Sequence, residues 1–261
     1  MSKEKKQAHL HWASDNYQQP CFCNSVVYLN TEKLKATPET TAAIFGIMDP
    51  TSISITKQDG QDQVIPLETA TSDGDNGSGD TSDPFWNLEA DQHYDVHTTS
   101  TDKVVPMNQI FNLLPGDNED AKSDRLNQLS MSFYDKIWNS PEVPDDFTKK
   151  FFSHTSSSKI QGFRQFNWFI EVWGGPSLVG DMINTVLLPK LMAKHTASRM
   201  LPTYAMVWLK LMDTVIDEQF PSSPELKRAM GMYWLHFYAF FPYSDAERKE
   251  FREYVVSTWS S

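Results

Sequence analysis

Hydrophobic positions change their period partway along this chain. From residue 25 to about 67, three short β-branched or aromatic runs alternate with Pro, Gly and Asp breakers: Ser25-Val-Val-Tyr-Leu29, Ser52-Ile-Ser-Ile-Thr56 and Gln63-Val-Ile-Pro66. That is the pattern of brief strands bounded by turns. From about Val104 the spacing becomes helical. Asn108, Ile110, Phe111, Leu113 and Leu114 form a short apolar turn ended by Pro115-Gly116. Leu126, Leu129, Phe133 and Ile137 then recur three or four apart from a start at Ser123, with Tyr134 and Trp138 widening the stripe.

A third helical stretch, Ser158 to Trp173, carries Ile160, Phe163, Phe166, Trp168, Phe169, Ile170 and Val172 and is apolar almost all round, which predicts a buried helix. Gly174-Gly175-Pro176 stops it, by a left-handed cap followed by a residue that cannot continue the ladder. Next comes a helix bearing Leu188, Leu191, Met192 and His195, and after it one from Pro202 to Asp217 with Met206, Trp208, Leu211, Met212 and Val215. Ser223-Pro224-Glu225 opens another, with Ser as cap and Pro at the first helical position. The capping box Ser244-Asp-Ala-Glu247 opens a last helix ending near Val256.

The expected fold is therefore all-α over residues 104–261, preceded by an irregular extension with short strands at 1–68 and an acidic flexible linker at 69–103. Within that linker, residues 69–83 are small and acidic and have no apolar anchors, so burial cannot offset the entropy of ordering them. Their Asp-Gly-Asp-Asn-Gly stretch lacks the closing glutamate and the flanking helices of an EF-hand, which removes a calcium loop from consideration.

Composition narrows the function classes. The 261 residues exceed a common domain of about 100–150. The 8 Trp, 16 Phe and 9 Tyr fall mostly in the second half, so the first half looks poorer in core. A formal net charge of −11, with no basic run beyond Lys3–Lys6, argues against a nucleic-acid partner. No apolar segment follows the N-terminal Met-Ser-Lys-Glu-Lys-Lys-Gln as a secretory signal requires. The aromatic run Met232–Phe241 is about half of the ~20 residues that span a bilayer. A cytoplasmic protein with no membrane partner is expected. Cys21 and Cys23 are too close together for an ordinary disulfide and too few for a zinc site; reduced thiols are the plainer reading and a redox or metal-binding Cys-Phe-Cys pair the alternative. His93 and His97, four apart beside Asp91 and Asp95, would pair around a metal on a helix; a solvated loop is the plainer reading.

Two features carry candidate chemistry. Leu188, Leu191 and Met192 precede His195 by seven, four and three residues, so its imidazole projects from the apolar side of the helix. Such a ring is either a satisfied core histidine or the ligand of a flat hydrophobic cofactor with an open iron site. Gln161 and Gln165, also four apart, share a face that continues through Trp168, Phe169 and Val172. An unpaired buried amide costs roughly 1–3 kcal/mol, which points that face toward a cavity.

The segment from Phe133 to about Phe241 resembles a truncated haemoglobin, the two-over-two helical globin, and most closely its second group, found in bacteria and plants. Phe133-Tyr134-Asp135-Lys136 is similar to the family's Phe-Tyr motif, Phe152-Ser153 to the aromatic corner against the haem, and Gln165 through Trp173-Gly174-Gly175-Pro176 to the distal helix and its ending. His195 falls at the proximal position, and Trp208, thirteen residues on, matches the group's tryptophan. Counted from Ile110-Phe111-Asn112-Leu113-Leu114, which resembles the opening helix, the likeness covers a little over half of the chain. The chain departs from the family in a longer loop from Pro176 to His195 and in Leu187-Leu188-Pro189, where a Gly-His-Pro turn is usual.

The resemblance implies haem b as cofactor, with His195 as the iron ligand. Phe152, Phe169 and Trp208 would pack on it, and Lys194 and Arg199 would meet its propionates. It implies that Tyr134, Gln165 and Trp208, with Gln161 beside them, offer hydrogen bonds to a bound diatomic ligand. Dioxygen or nitric oxide would be the partner and a reductase the electron donor. Two or three such bonds would slow release a hundredfold or more, which disfavours bulk oxygen transport. Members of the family oxidise nitric oxide to nitrate or act as weak peroxidases. The alternatives are a haem-free globin-like interaction module and a sensor in which the N-terminal segment reads the ligation state.

Overall fold

The computed structural model describes residues 6–13, 25–30, 34–45, 47, 49–58, 63–68, 84–99, 105–144, 147, 157–177, 190, 200–239, 241 and 243–259. Alternating apolar and polar residues produce its strands. A four-stranded mixed sheet has the order β2 (Ser25–Asn30), β1 (Lys6–Trp12), β6 (His93–Thr98), β4 (Ile53–Lys57). β1 is antiparallel to β2 and parallel to β6, which is antiparallel to β4. β3 (Leu34–Ala36) pairs separately with β5 (Trp86–Leu88).

Because strand side chains alternate faces, Ala8, Leu10, Ile53, Ile55, Tyr94 and Val96 all point to one side and are buried there. Helix α1 (Pro38–Phe45) covers them with Ala42, Ile44 and Phe45, and Trp86 and Leu88 join the same cluster. The N-terminal region thus has a core of its own, contrary to the expected irregular extension. Residues 84–99, expected within the flexible linker 69–103, supply β5 and β6, and β6 is a central strand. Residues 69–83 lie outside the described residues. The run 63–66 contributes one isolated bridge, Val64 to Thr56, rather than a strand.

From residue 105 onward the described chain is helical, so the protein as a whole is mostly helical with a small mixed sheet. A 3-10 turn, Met107–Leu113, precedes α2 (Glu119–Asn139), whose cap is Asn118: its side chain accepts from Ala121 N at 2.9 Å. This cap starts α2 four residues before the expected Ser123. Ser157 caps α3 (Ser158–Val172). α4 (Pro202–Gln219) and α5 (Pro224–Ala239) each begin on proline. The expected capping box holds at α6 (Asp245–Trp259): Glu247 Oε2 accepts from Ser244 N at 2.7 Å while Ser244 Oγ accepts from Glu247 N at 3.3 Å. α3 is not buried all round as expected; Ile160 and Phe163 are 42% and 55% exposed, because α2 covers only one side of it. Among the described residues no helix is long and apolar enough to cross a membrane.

Gly174 ends α3 in the left-handed region, φ +80°, and a Cβ there would collide with the carbonyl of Asn108. The same contact lets Phe111 N donate to Trp173 O at 2.9 Å and stitch the 3-10 turn to the helix end.

The two regions meet along α1. Arg252 on α6 forks onto Glu39, Nε to Oε2 at 2.9 Å and Nη2 to Oε1 at 2.7 Å, and Thr40 Oγ1 donates to Asp245 Oδ1 at 2.9 Å. Fully buried His236 on α5 donates from Nδ1 to the carbonyl of Ile44 at 2.7 Å. Burial disfavours the imidazolium and lowers the pKa of His236 to about 4, against which hydrogen bonds to Ile44 and Ala43 act weakly.

Two outcomes follow from these contacts. Gly174→Ala should lower stability by about 3 kcal/mol, combining left-handed strain with a backbone clash, as read by urea unfolding. Between pH 6.5 and about 4 the unfolded chain holds a proton on residue 236 that the native protein does not, so native stability is complete above that window and declines as pH falls through it. This one group contributes about 3 kcal/mol of that decline. His236→Gln should therefore be less stable at pH 7 but show a shallower loss from pH 7 to pH 4.5 in denaturant titrations.

Candidate functional site

α2 and α3 can lie close because residue 162 is glycine. A Cβ there would sit 2.8 Å from Met131 Sδ and 3.2 Å from Ser130 O. This approach brings Tyr134, buried on α2, beside the half-buried Gln161 and Gln165 on α3. Tyr134 donates its hydroxyl proton to Gln165 Oε1 at 3.1 Å, and Gln161 Nε2 donates to the Tyr134 oxygen at 3.5 Å. Burial raises the Tyr134 pKa well above that of an ordinary phenol, so the group stays protonated and keeps its donor role.

Trp208 of α4 closes this group on the apolar side. Its ring meets Phe133 edge-on at 4.7 Å and Tyr134 at 5.7 Å. Trp208 is 7% exposed, and its indole Nε1 is buried with no hydrogen-bond acceptor among the described residues. The indoles of Trp173, Trp234 and Trp259 share that lack among the described residues; Trp173 and Trp234 lie against Tyr233, and Trp208 against Tyr134. Tyr134, Gln161, Gln165 and Trp208 are thus gathered in one place.

Phe169 occupies a neighbouring aromatic cluster. It stacks on Trp173 with centroids 4.0 Å apart and meets Tyr233 and Trp234 edge-on at 5.8 and 5.9 Å. Its environment is that of a core residue. Tyr233 and Trp234 on α5 were not expected as site residues, yet Trp234 lies 6.1 Å from the Trp208 ring, and Tyr233 accepts from Trp168 Nε1 at 2.8 Å. They belong to the apolar run from Met232, whose uniform hydrophobicity gives no phase by which to single out one position.

The remaining expected site residues, His195, Phe152, Lys194 and Arg199, lie outside the described residues, as do Cys21 and Cys23. The Tyr134, Gln161, Gln165 and Trp208 group offers neutral donors in an apolar surround, one of them without an acceptor among the described residues, and holds no carboxylate. Comparison with known protein families, curated proteins and solved structures gives no match to this chain.

Tyr134→Phe removes the hydroxyl that holds both glutamines. It should cost about 1 kcal/mol, the value of one net hydrogen bond, in thermal or urea unfolding, with the helical circular dichroism unchanged.

Proposed function

We propose that this chain is a haem protein that binds dioxygen and related diatomic ligands, nitric oxide among them, on a two-over-two globin fold like that of the truncated haemoglobins. The observation that carries the reading is the buried Trp208 N–H, without an acceptor among the described residues, on a ring packed 5.7 Å from that of Tyr134, whose hydroxyl bonds Gln161 and Gln165. A buried donor without an acceptor costs about 1–3 kcal/mol, and an acceptor arriving with a ligand would recover it.

In this reading His195 holds the iron, Phe152 packs on the macrocycle, and Lys194 and Arg199 meet the propionates. The haem, when bound, supplies an open coordination position for the diatomic ligand. The protein supplies direction. Because the Tyr134 proton is committed to Gln165 Oε1, the amide of Gln165 is fixed with Nε2 turned outward as a donor. Gln165 Nε2 and Trp208 Nε1 are then the two donors that a ligand bearing partial negative charge would meet. Phe133, packed on Trp208, excludes water and keeps the local dielectric low, which strengthens both bonds.

An absorption spectrum of protein expressed with ample porphyrin should show a Soret band in the ferric, ferrous and carbonyl forms; a colourless product ends this reading. His195→Ala should abolish the band and lower Tm, since a ligand bound only to the folded state stabilises it. Trp208→Phe should retain haem and release dioxygen about tenfold faster, one hydrogen bond's worth. A haem-free interaction module is the second reading, favoured by the hydrogen bonds that already occupy Tyr134; it requires an unchanged melting curve in His195→Ala.

A further inference from the structure

The outer face of the N-terminal sheet carries a cluster of imidazoles that the haem reading does not use. β1 and β6 are parallel neighbours in the register His9 to His93 and His11 to Asp95. With Ala8, Leu10, Tyr94 and Val96 turned inward, strand alternation places His9, His11, His93, Asp95 and His97 together on the opposite face. Helical spacing suggested a pairing of His93 with His97; the strand instead sets His93 beside the His9-Leu10-His11 triplet of the next strand, while His97 pairs with Thr56 Oγ1 at 3.0 Å.

The three rings lie nearly parallel. His9 and His93 have centroids 4.4 Å apart and planes 8° apart; for His11 and His93 the values are 5.0 Å and 10°, and for His9 and His11 6.4 Å and 12°. His11 Nε2 and His93 Nδ1 are 2.7 Å apart, sharing one proton between two imidazole nitrogens. Asp95 accepts from the Gln58 amide and is the one carboxylate on this face of β6.

We infer that His9, His11 and His93 form a binding site for a first-row divalent transition ion of imidazole preference, Zn2+ or Cu2+. Two nitrogens each about 2.1 Å from one tetrahedral ion stand roughly 3.4 Å apart. Seating the ion between His11 and His93 therefore opens that pair, 2.7 Å apart, by about 0.7 Å. His9, across the strand boundary from His93, is the third imidazole. Among the described residues no three donor groups already surround a common point. Binding therefore turns His9 and His93 about their side-chain bonds; His93 is exposed and His9 only half-buried. The proton shared by His11 and His93 moves to the far nitrogen of its own ring, so both imidazoles bind as neutral ligands and affinity falls with acid as those nitrogens are protonated. The occupied site would clamp β1 to β6, joining residues far apart in the chain.

The test uses the full chain with Cys21 and Cys23 replaced by Ser, so that thiols do not compete. Calorimetric titration with Zn2+ should give one ion per chain, thermal unfolding should shift upward with added Zn2+, and electron paramagnetic resonance with Cu2+ should show coupling to imidazole nitrogens. His11→Gln with His93→Gln, both on the sheet surface, should weaken the ion about a hundredfold while leaving the circular dichroism unchanged. His97→Gln should leave affinity as it was. Equal affinity in the double variant, or no Zn2+-dependent rise in Tm, overturns the inference. Because no readout involves porphyrin, its failure is independent of the haem reading.

Discussion

A helix buried on every side meets protein rather than water on each flank, and α5 is that helix. Its side chains from Ala229 through Ala239 are all buried, so no face is left for water. One flank presents Tyr233 and Trp234 to the aromatic cluster of Phe169, Trp173 and Trp208. Another presents His236 to the backbone of α1. The end of α5 is closed by Arg248 of α6, whose Nη1 and Nη2 donate to the carbonyls of Tyr243 at 3.0 Å and Phe241 at 2.7 Å. Lys227 near its start reaches Asp213 and Asp217 of α4 at 3.0 and 2.8 Å. Helices on either side are therefore positioned by what α5 requires.

This arrangement gives the N-terminal sheet a structural role toward the helices. His236 would be a buried polar group without its bond to Ile44, and Ile44 belongs to the core beneath the sheet. Only one residue separates His236 from Trp234, which touches the ring of Trp208. A change in α1 is thus felt on the same helix that supports the polar cluster. The fork of Arg252 onto Glu39 reinforces the junction; both side chains are 19% exposed, and a planar bidentate pair so shielded is screened less than an open surface pair.

Where periodicity was long and flanked by caps, the sequence was sufficient: α3 through α6 stand within a few residues of their expected limits, each marked by Ser, Pro or a capping box. The N-terminal half was less legible for a physical reason. β1 reads Lys-Gln-Ala-His-Leu-His-Trp, and its alternation is carried by only two buried aliphatics, Ala8 and Leu10. In β6 the polar positions are His and Asp, types that signal loops, and the strand is fixed by its neighbours on both sides. α1 has Thr40 and Thr41 on its buried side, where apolar residues would have marked the face. The candidate site divides in the same way: helical spacing set Gln161 and Gln165 on one face and the family resemblance added Tyr134 and Trp208, whereas Trp234 and Tyr233 sat in a run with no polar phase.

The direction of the hydrogen bonds in that group decides which atoms remain to act. A tyrosine hydroxyl has one proton, and its use on Gln165 Oε1 makes Tyr134 an acceptor toward everything else, including Gln161 Nε2. A ligand accepting hydrogen bonds would therefore meet the amide and the indole first, with Tyr134 acting through Gln165 by holding its orientation. Were the Gln165 amide turned over, the tyrosine would face an N–H and its own proton would be released for another acceptor. The two arrangements differ by one half-turn of a side chain and exchange the roles of Tyr134 and Gln165.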